Sequence, residues 1–161
     1  MAGDSYMKID GIDGESTDKG HEKWIELLSY SHGMSQPSVK STSSGGGRTS
    51  GRVNIKEFTV VKMIDKSSPT LAAYCCDGKH IPTIMIELCE ASGDKHKYMM
   101  FKLTDVIISS IEIGGGGGGR GTETVTYNFG KIQWEYTPLD HTGKAGAAIQ
   151  AGWNLEQNVK I

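Results

Sequence analysis

A chain of 161 residues with 17 basic and 19 acidic side chains, net charge −2, is long enough to bury a core without metals or disulfides. It has no charge excess to draw it to nucleic acid or acidic membranes. No apolar run reaches the roughly 18 residues of a membrane span. The start, "MAGDSYMKIDG", lacks the basic-then-apolar pattern of a Sec leader, so folding in the cytoplasm is expected, with any export by another route.

The first element is an alternating strand in "SYMKID", with Met7 and Ile9 on one side and Tyr6 and Lys8 on the other. "GIDGESTDKGHEKW" follows, polar and acidic. It does not meet the EF-hand order of calcium ligands and reads as a solvated loop. In "KWIELLSYSHGM", Trp24, Leu28, Tyr30 and Met34 share a face. "SVKSTSSGGGRTSGR" (38–52) is polar, turn-rich and without periodicity, which predicts a long flexible loop. "VNIKEFTVVKMI" has mixed parity: Val53 and Ile55, then Phe58 and Val60, with Val61 and Met63 opposite.

"SSPTLAAYCCDG" predicts one short helix, with Ser68 as N-cap, Pro69 at the first helical position and Gly78 just past the end. Leu71, Tyr74 and Cys75 share its apolar face. In "TIMIEL", Ile84, Ile86 and Leu88 align, and "ASGD" (91–94) marks a hairpin to the next strand. That strand carries Met99, Phe101, Leu103, Ile107, Ile111 and Ile113 at one parity. After six glycines, Val125, Tyr127 and Phe129 alternate. Ile132, Trp134 and Tyr136 then continue at the opposite parity, so a bulge is expected at Gly130–Lys131, or a strand apolar on both faces. Many strands and one short helix imply a mainly-β barrel or sandwich with the helix on its flank.

Chemical motifs are weak. Gly114 and Gly119 have phosphate-loop spacing, but Arg120 and Gly121 stand where Lys and a hydroxyl residue belong, and "TETVTYNF" is a strand pattern rather than a helix. The run therefore reads as a slack connector. The three cysteines lack metal-binding spacing and read as reduced, core-packed thiols. His21, His32, His80, His96 and His141 are scattered and read as isolated surface or satisfied side chains. Asp77 and His80 in "DGKH" are the only candidate dyad, at a helix end where a basic residue is ordinary. Three arginines, Arg48, Arg52 and Arg120, are too few for a nucleic-acid patch. No cofactor or metal site is expected.

One set of stretches is specific. "YMKIDGIDGESTDKGHEKWIELLSYSHGMSQ" (6–36), "DKSSP" (65–69), "GKHIP" (78–82), "KLTDVIISS" (102–110), "NFGKIQWEYTP" (128–138) and "GKAGAAIQAGWNLEQN" (143–158) together resemble, in order, the Hcp (hemolysin-coregulated) proteins of type VI secretion systems. The glycine runs at 45–47 and 114–119 and the Cys75–Cys76 pair depart from the family pattern. The resemblance implies a single domain over 1–161, a compact two-sheet β-barrel flanked by one short α-helix, with flexible loops near 35–52 and 114–121. It implies a non-enzymatic tube protein forming a homohexamer, whose stacked rings are pushed out by the type VI sheath behind a VgrG spike, with effector proteins in the channel. A carrier or chaperone ring for one effector is the alternative. The 35–52 segment corresponds to the family's extended loop, which makes Gln36, Ser38, Val39, Lys40, Thr42 and Arg48 the candidate inter-ring residues. The C-terminal toxin domain of some relatives is not expected, and neither nucleic acid nor membrane insertion is implied.

Overall fold

The computed structural model describes residues 3–39, 49–91 and 95–161. In chain order its elements are β1 Gly3–Ile9, β2 Ile25–Leu27, β3 Ser29–Ser31, β4 Met34–Ser35, β5 Ser38–Val39, β6 Thr49–Ser50, β7 Asn54–Ile55 and β8 Phe58–Met63. There follow α1 Ser68–Asp77, β9 Ile81–Glu90, β10 Lys97–Gly114, β11 Thr122–Tyr136, β12 Ile149–Asn154 and β13 Val159–Lys160. The mainly-β reading with one short helix holds.

The main sheet is nine-stranded and antiparallel, ordered β13-β12-β11-β10-β9-β1-β2, with β8 pairing to β11 and β3 to β8. It forks at β11, whose first half, from Thr122 to Tyr127, pairs with β8 and whose second half, from Lys131 to Tyr136, pairs with β12. The expected barrel is not closed by a continuous ladder. Its two limbs end at β2 and β3, which are successive in the chain, and Leu28 between them donates its N–H to Val61 O at 2.7 Å.

One core fills the interior. Met7, Ile25, Phe58, Val60, Leu71, Ile84, Ile86, Leu103, Val125, Tyr127 and Ile132 are fully buried in it. The parity change foreseen in β11 is present, but no one-sided bulge makes it. Leu103 pairs with Ile132 and Val106 with Phe129 in an unbroken register, so both strands change parity together at Asp105 and Gly130. Asp105 adopts a left-handed φ of 54°, and Gly130 opposite leaves room for it. Val106 and Ile108 therefore face the core in place of Ile107, which is only half-buried on the other side. The register shift proper lies between Ile108 and Ser110 and returns Ile111 to the core. Single-strand parity misplaces Ile107 because the kink is set by a backbone φ rather than by an apolar pattern.

The helix begins one residue earlier than its sequence suggests. Ser67 is the N-cap, Pro69 the second helical residue and Gly78 a left-handed C-cap at φ 66°, its N–H on Tyr74 O. Leu71 is buried, with Tyr74 and Cys75 packed on the core as expected. Cys76 is exposed on the solvent face rather than core-packed, while Cys89 is buried.

What ties α1 down is polar and was not foreseen. Lys62 and Glu123 are cross-strand partners in β8 and β11, and their side chains are 0% and 1% exposed. Lys62 Nζ, with three N–H donors, lies within hydrogen-bonding distance of four acceptors: Glu123 Oε1, Asp65 Oδ1 at 3.0 Å, Met63 O at 3.1 Å and Ser68 Oγ at 3.3 Å. Ser68 Oγ donates to Glu123 Oε1 at 2.7 Å and accepts Asp65 N–H at 3.0 Å. The first helical hydroxyl is thus spent on the sheet, and Ser67 spends its own on Asp65.

The polar loop after β1 is exposed at Asp13, Glu15, Thr17, Lys19 and Glu22 but anchored by a few buried residues. Ser16 and His21 are buried, and Gly14 lies so close to the Trp24 carbonyl that a Cβ would stand 2.4 Å from its oxygen. The glycine run is the opposite case: a Cβ at Gly114, Gly116, Gly117 or Gly118 meets nothing within 4 Å. It connects β10 to β11, and since Thr122 opens a strand there is no helix N-terminus to hold a phosphate.

Removing Lys62 strands a buried carboxylate, so Lys62→Ala is expected to cost about 3–5 kcal/mol in urea unfolding, whereas Lys62→Met with Glu123→Leu recovers most of it. Deleting residues 116–118 is expected to change the same stability by less than about 1 kcal/mol, because loop-closure entropy varies slowly with length.

Candidate assembly surfaces

Asp77 and His80 do not form a dyad: Asp77 Oδ1 accepts the Lys79 N–H at 3.0 Å, while His80 Nδ1 lies 2.8 Å from Asp105 Oδ1 on the exposed surface. His21 bridges the loop after β1 to β9, with Nδ1 2.9 Å from Asp18 Oδ2 and Nε2 2.9 Å from Glu87 Oε2. It stacks on Tyr6 at 4.2 Å. Lys95 spans Asp18, Asp4 and the Tyr6 hydroxyl at 2.7, 2.9 and 2.8 Å, and its hydrogen bonds, with those of His21, hold Asp18 below the usual carboxylate range. Cys89 sits beneath this cluster, and burial, followed by the Glu87 and Asp18 charges, pushes its thiol up to about 11. It is a packed thiol, not a nucleophile. Among the described residues no group of three or more His, Cys, Asp and Glu is placed to hold a metal ion.

His32 is different. Its ring lies among Phe58, Phe101, Phe129 and Trp134, at centroid distances of 5.4, 6.3, 6.0 and 6.4 Å. Both ring nitrogens are enclosed without a well-formed hydrogen bond. Burial lowers its pKa, opposed only by the Lys56 backbone. Tyr127, fully enclosed beside Glu123 and Asp65, has its phenol pKa raised by burial and then by those charges.

Exposed apolar side chains fall into two groups, one around β3, β4 and β8 and one around the end of β11, β12 and β13. The first holds Leu28, Tyr30, Met34 and Met63; the second holds Tyr136, Ile149, Val159 and Ile161. The face shared by Leu28, Tyr30 and Met34 thus points outward, and Ile25 and Leu27 supply the core instead. Ile149, the most exposed of the eight at 67%, stands on β12. Groups of exposed large apolar side chains are candidate contact surfaces.

This geometry has close counterparts. The family described as "Type VI secretion system effector, Hcp" matches residues 6–136. "Protein hcp1" of Pseudomonas aeruginosa is 41% identical over 163 residues, covering 99% of each chain. The chain belongs to the Hcp family. Among solved structures, that of a type six secretion system protein superposes with a TM-score of 0.94 at 37% identity, covering 99% of this chain and 100% of the other. Hcp1 from Salmonella typhimurium superposes with a TM-score of 0.82 at 33% identity over the full length of both.

In this Hcp chain the described residues on either side of 40–48 are paired. Met34–Ser35 pairs with Asn54–Ile55, and Ser38–Val39 with Thr49–Ser50, as two short antiparallel ribbons. The Gly51 N–H bonds Pro37 O at 3.1 Å between them. The segment read from the sequence as a flexible loop carries these two ribbons among its described residues. Backbone pairing alone makes the ribbons, and Ser- and Thr-rich two-residue strands leave no apolar alternation to read. Of the candidate inter-ring residues, Gln36 is exposed beside this arm, and Ser38 and Val39 form β5. Lys40, Thr42 and Arg48 lie outside the described residues. No helix among the described residues is long and apolar enough to cross a membrane.

His32 stands at the root of this arm, between β3 and β4. The folded state binds its proton less readily than the unfolded chain does, so its contribution is complete above about pH 6.5 and is lost as pH falls below that value. Urea midpoints for the native protein and for His32→Phe, measured near pH 7.5 and 5.5, are expected to show a larger acid-side drop in the native protein.

Proposed function

We propose that this chain is the structural subunit of a type VI inner tube. Six copies form a ring by a head-to-tail contact that closes on rotation, the rings stack, and the tube is exported with effectors by sheath contraction. The observation that supports this most is the presence of two separate groups of exposed apolar side chains, one around β3 and β8 and one around β12 and β13, since a heterologous ring contact needs two different complementary patches on one subunit. The band at Leu28, Tyr30 and Met63 is proposed to meet the neighbour's band at Tyr136, Ile149 and Ile161. The arm built from β4 to β7 is proposed to reach the next ring, through Gln36, Ser38, Val39, Lys40, Thr42 and Arg48. The protein acts as one domain, without catalysis. It folds in the cytoplasm and leaves through the apparatus, with the sheath, a VgrG spike and effectors as partners.

Native mass spectrometry and negative-stain imaging of the purified protein are expected to show a six-membered annulus. Ile149→Asp and Leu28→Asp are each expected to yield folded monomers. A native protein that stays monomeric at every concentration overturns the reading. Deleting the gene is expected to abolish all type VI killing; loss of one effector's activity alone would indicate a dedicated carrier ring.

A further inference from the structure

One histidine ring is wedged where the arm leaves the barrel and where it returns. The arm departs at Gly33, after β3, and comes back through Lys56 into β8. The Lys56 N–H donates to Gly33 O at 2.9 Å, the first rung between the two legs. His32 precedes that rung. Its ring stacks on Phe58 of the returning leg, with 5.4 Å between centroids and 21° between planes. Phe101, Phe129 and Trp134 form the floor beneath it. Phe58 is itself fully buried in the core, so the imidazole holds both legs against the sheet.

This setting suits a neutral ring. Neither nitrogen has a hydrogen-bond partner in good geometry, and the acceptor beside the ring is the Lys56 backbone. A neutral imidazole has one N–H to place, and an imidazolium has two. Protonation therefore puts a second N–H and a charge among carbon atoms, which is strongly unfavourable without a partner. No charged side chain is among the influences on its pKa, which are burial first and the Lys56 backbone second. The ionisable groups of the surrounding elements face elsewhere. On β8, Glu57 turns to Ser109 Oγ and Asn128 Nδ2. On β10, Lys102 alternates with the buried Phe101 and Leu103 and lies on the other face. On β11, Lys131 is exposed and Glu135 takes the Gln150 amide. Tyr30 on β3, tilted over Phe101 at 6.4 Å, offers a phenol rather than a carboxylate. Lys56, whose stem passes Gly33, brings a like charge.

We propose that His32 is an acid-released latch on the arm. Neutral, its ring locks both legs to the aromatic floor. Protonated, it leaves that floor, and the Gly33–Lys56 rung and the β4–β7 ribbon open with it. The residue is only half-buried, so a modest outward movement hydrates the charge. Ser31 and Gly33 on either side are both bonded to the returning leg, so that movement pulls on the rungs they make. The folded ring binds its proton less readily than the unfolded one, so the arm is closed above about pH 6.5 and opens progressively as pH falls below it. The bearing on ring stacking rests on the role proposed above for the arm; the opening itself does not.

The test is amide hydrogen exchange of the full-length protein near pH 7.5 and near pH 5.5, read by mass spectrometry and corrected for intrinsic rates. Protection of peptides spanning 32–39 and 49–57 is expected to fall severalfold in acid, up to about the tenfold that one proton allows over one pH unit. Peptides from β1 and β9 are expected to hold theirs. In His32→Phe, which keeps an aromatic ring and cannot take a proton, arm protection is expected to be the same at both pH values. If that variant fails to fold, exchange of the imidazole C2 proton gives the His32 midpoint in the native protein, expected below about 6.5, and arm opening is expected to follow it. Arm protection that is equal at the two pH values, that falls equally in His32→Phe, or that follows a midpoint other than that of His32 overturns the latch. Acid opening of the arm in a protein that forms no rings supports the latch and overturns the tube reading alone.

Discussion

The buried pair of Lys62 and Glu123 is the constraint around which the rest of the structure is arranged. It sits where β8, β11 and the start of α1 meet, and it takes a position that alternation along β8 reserves for an apolar residue: Phe58 and Val60 precede it on the core side. Burying two charges costs several kcal/mol each, and their attraction offsets this only when every remaining donor and acceptor is matched. Here Asp65, Ser68 and the Met63 carbonyl surround the ammonium, and Ser67 bonds Asp65 in turn. The consequence is geometric. A ten-residue helix with a single fully buried side chain, Leu71, has little apolar area to fix its rotation on a sheet. A polar network at its first turn supplies that direction, because few helix placements satisfy it.

A second constraint acts through the long strands. β10 and β11 serve both limbs of the sheet, which must curve around one core, and a flat ladder cannot do so. The paired change of parity at Asp105 and Gly130, followed by the register shift near Ser109, lets both halves of each strand present apolar residues inward. The same kink raises Asp105 outward to meet His80, so the one exposed His–Asp pair at that site is a by-product of sheet curvature. With the interior satisfied in this way, Leu28, Ile149 and their neighbours remain on the outer edges. Family membership and this leftover apolar surface are two separate supports for the proposed assembly.

The sequence by itself determined the strand content, the helix with its Pro69 and Gly78 punctuation, the core faces of β1 and β9 and the Hcp family. These rest on short-range periodicity and on motifs whose residues are neighbours in the chain. Only the tertiary structure decided that Lys62 is buried, that Ile107 yields its place to Val106 and Ile108, that His80 answers to Asp105 rather than Asp77, and that His32 lies among Phe58, Phe101, Phe129 and Trp134. The physical reason is common to all four. Each depends on a partner between 25 and 102 residues away or on a backbone φ that Asp adopts only when the opposite strand permits it, and neither leaves a local signature. Parity shows that a side chain turns over, but not which one, because that is settled between two strands at once.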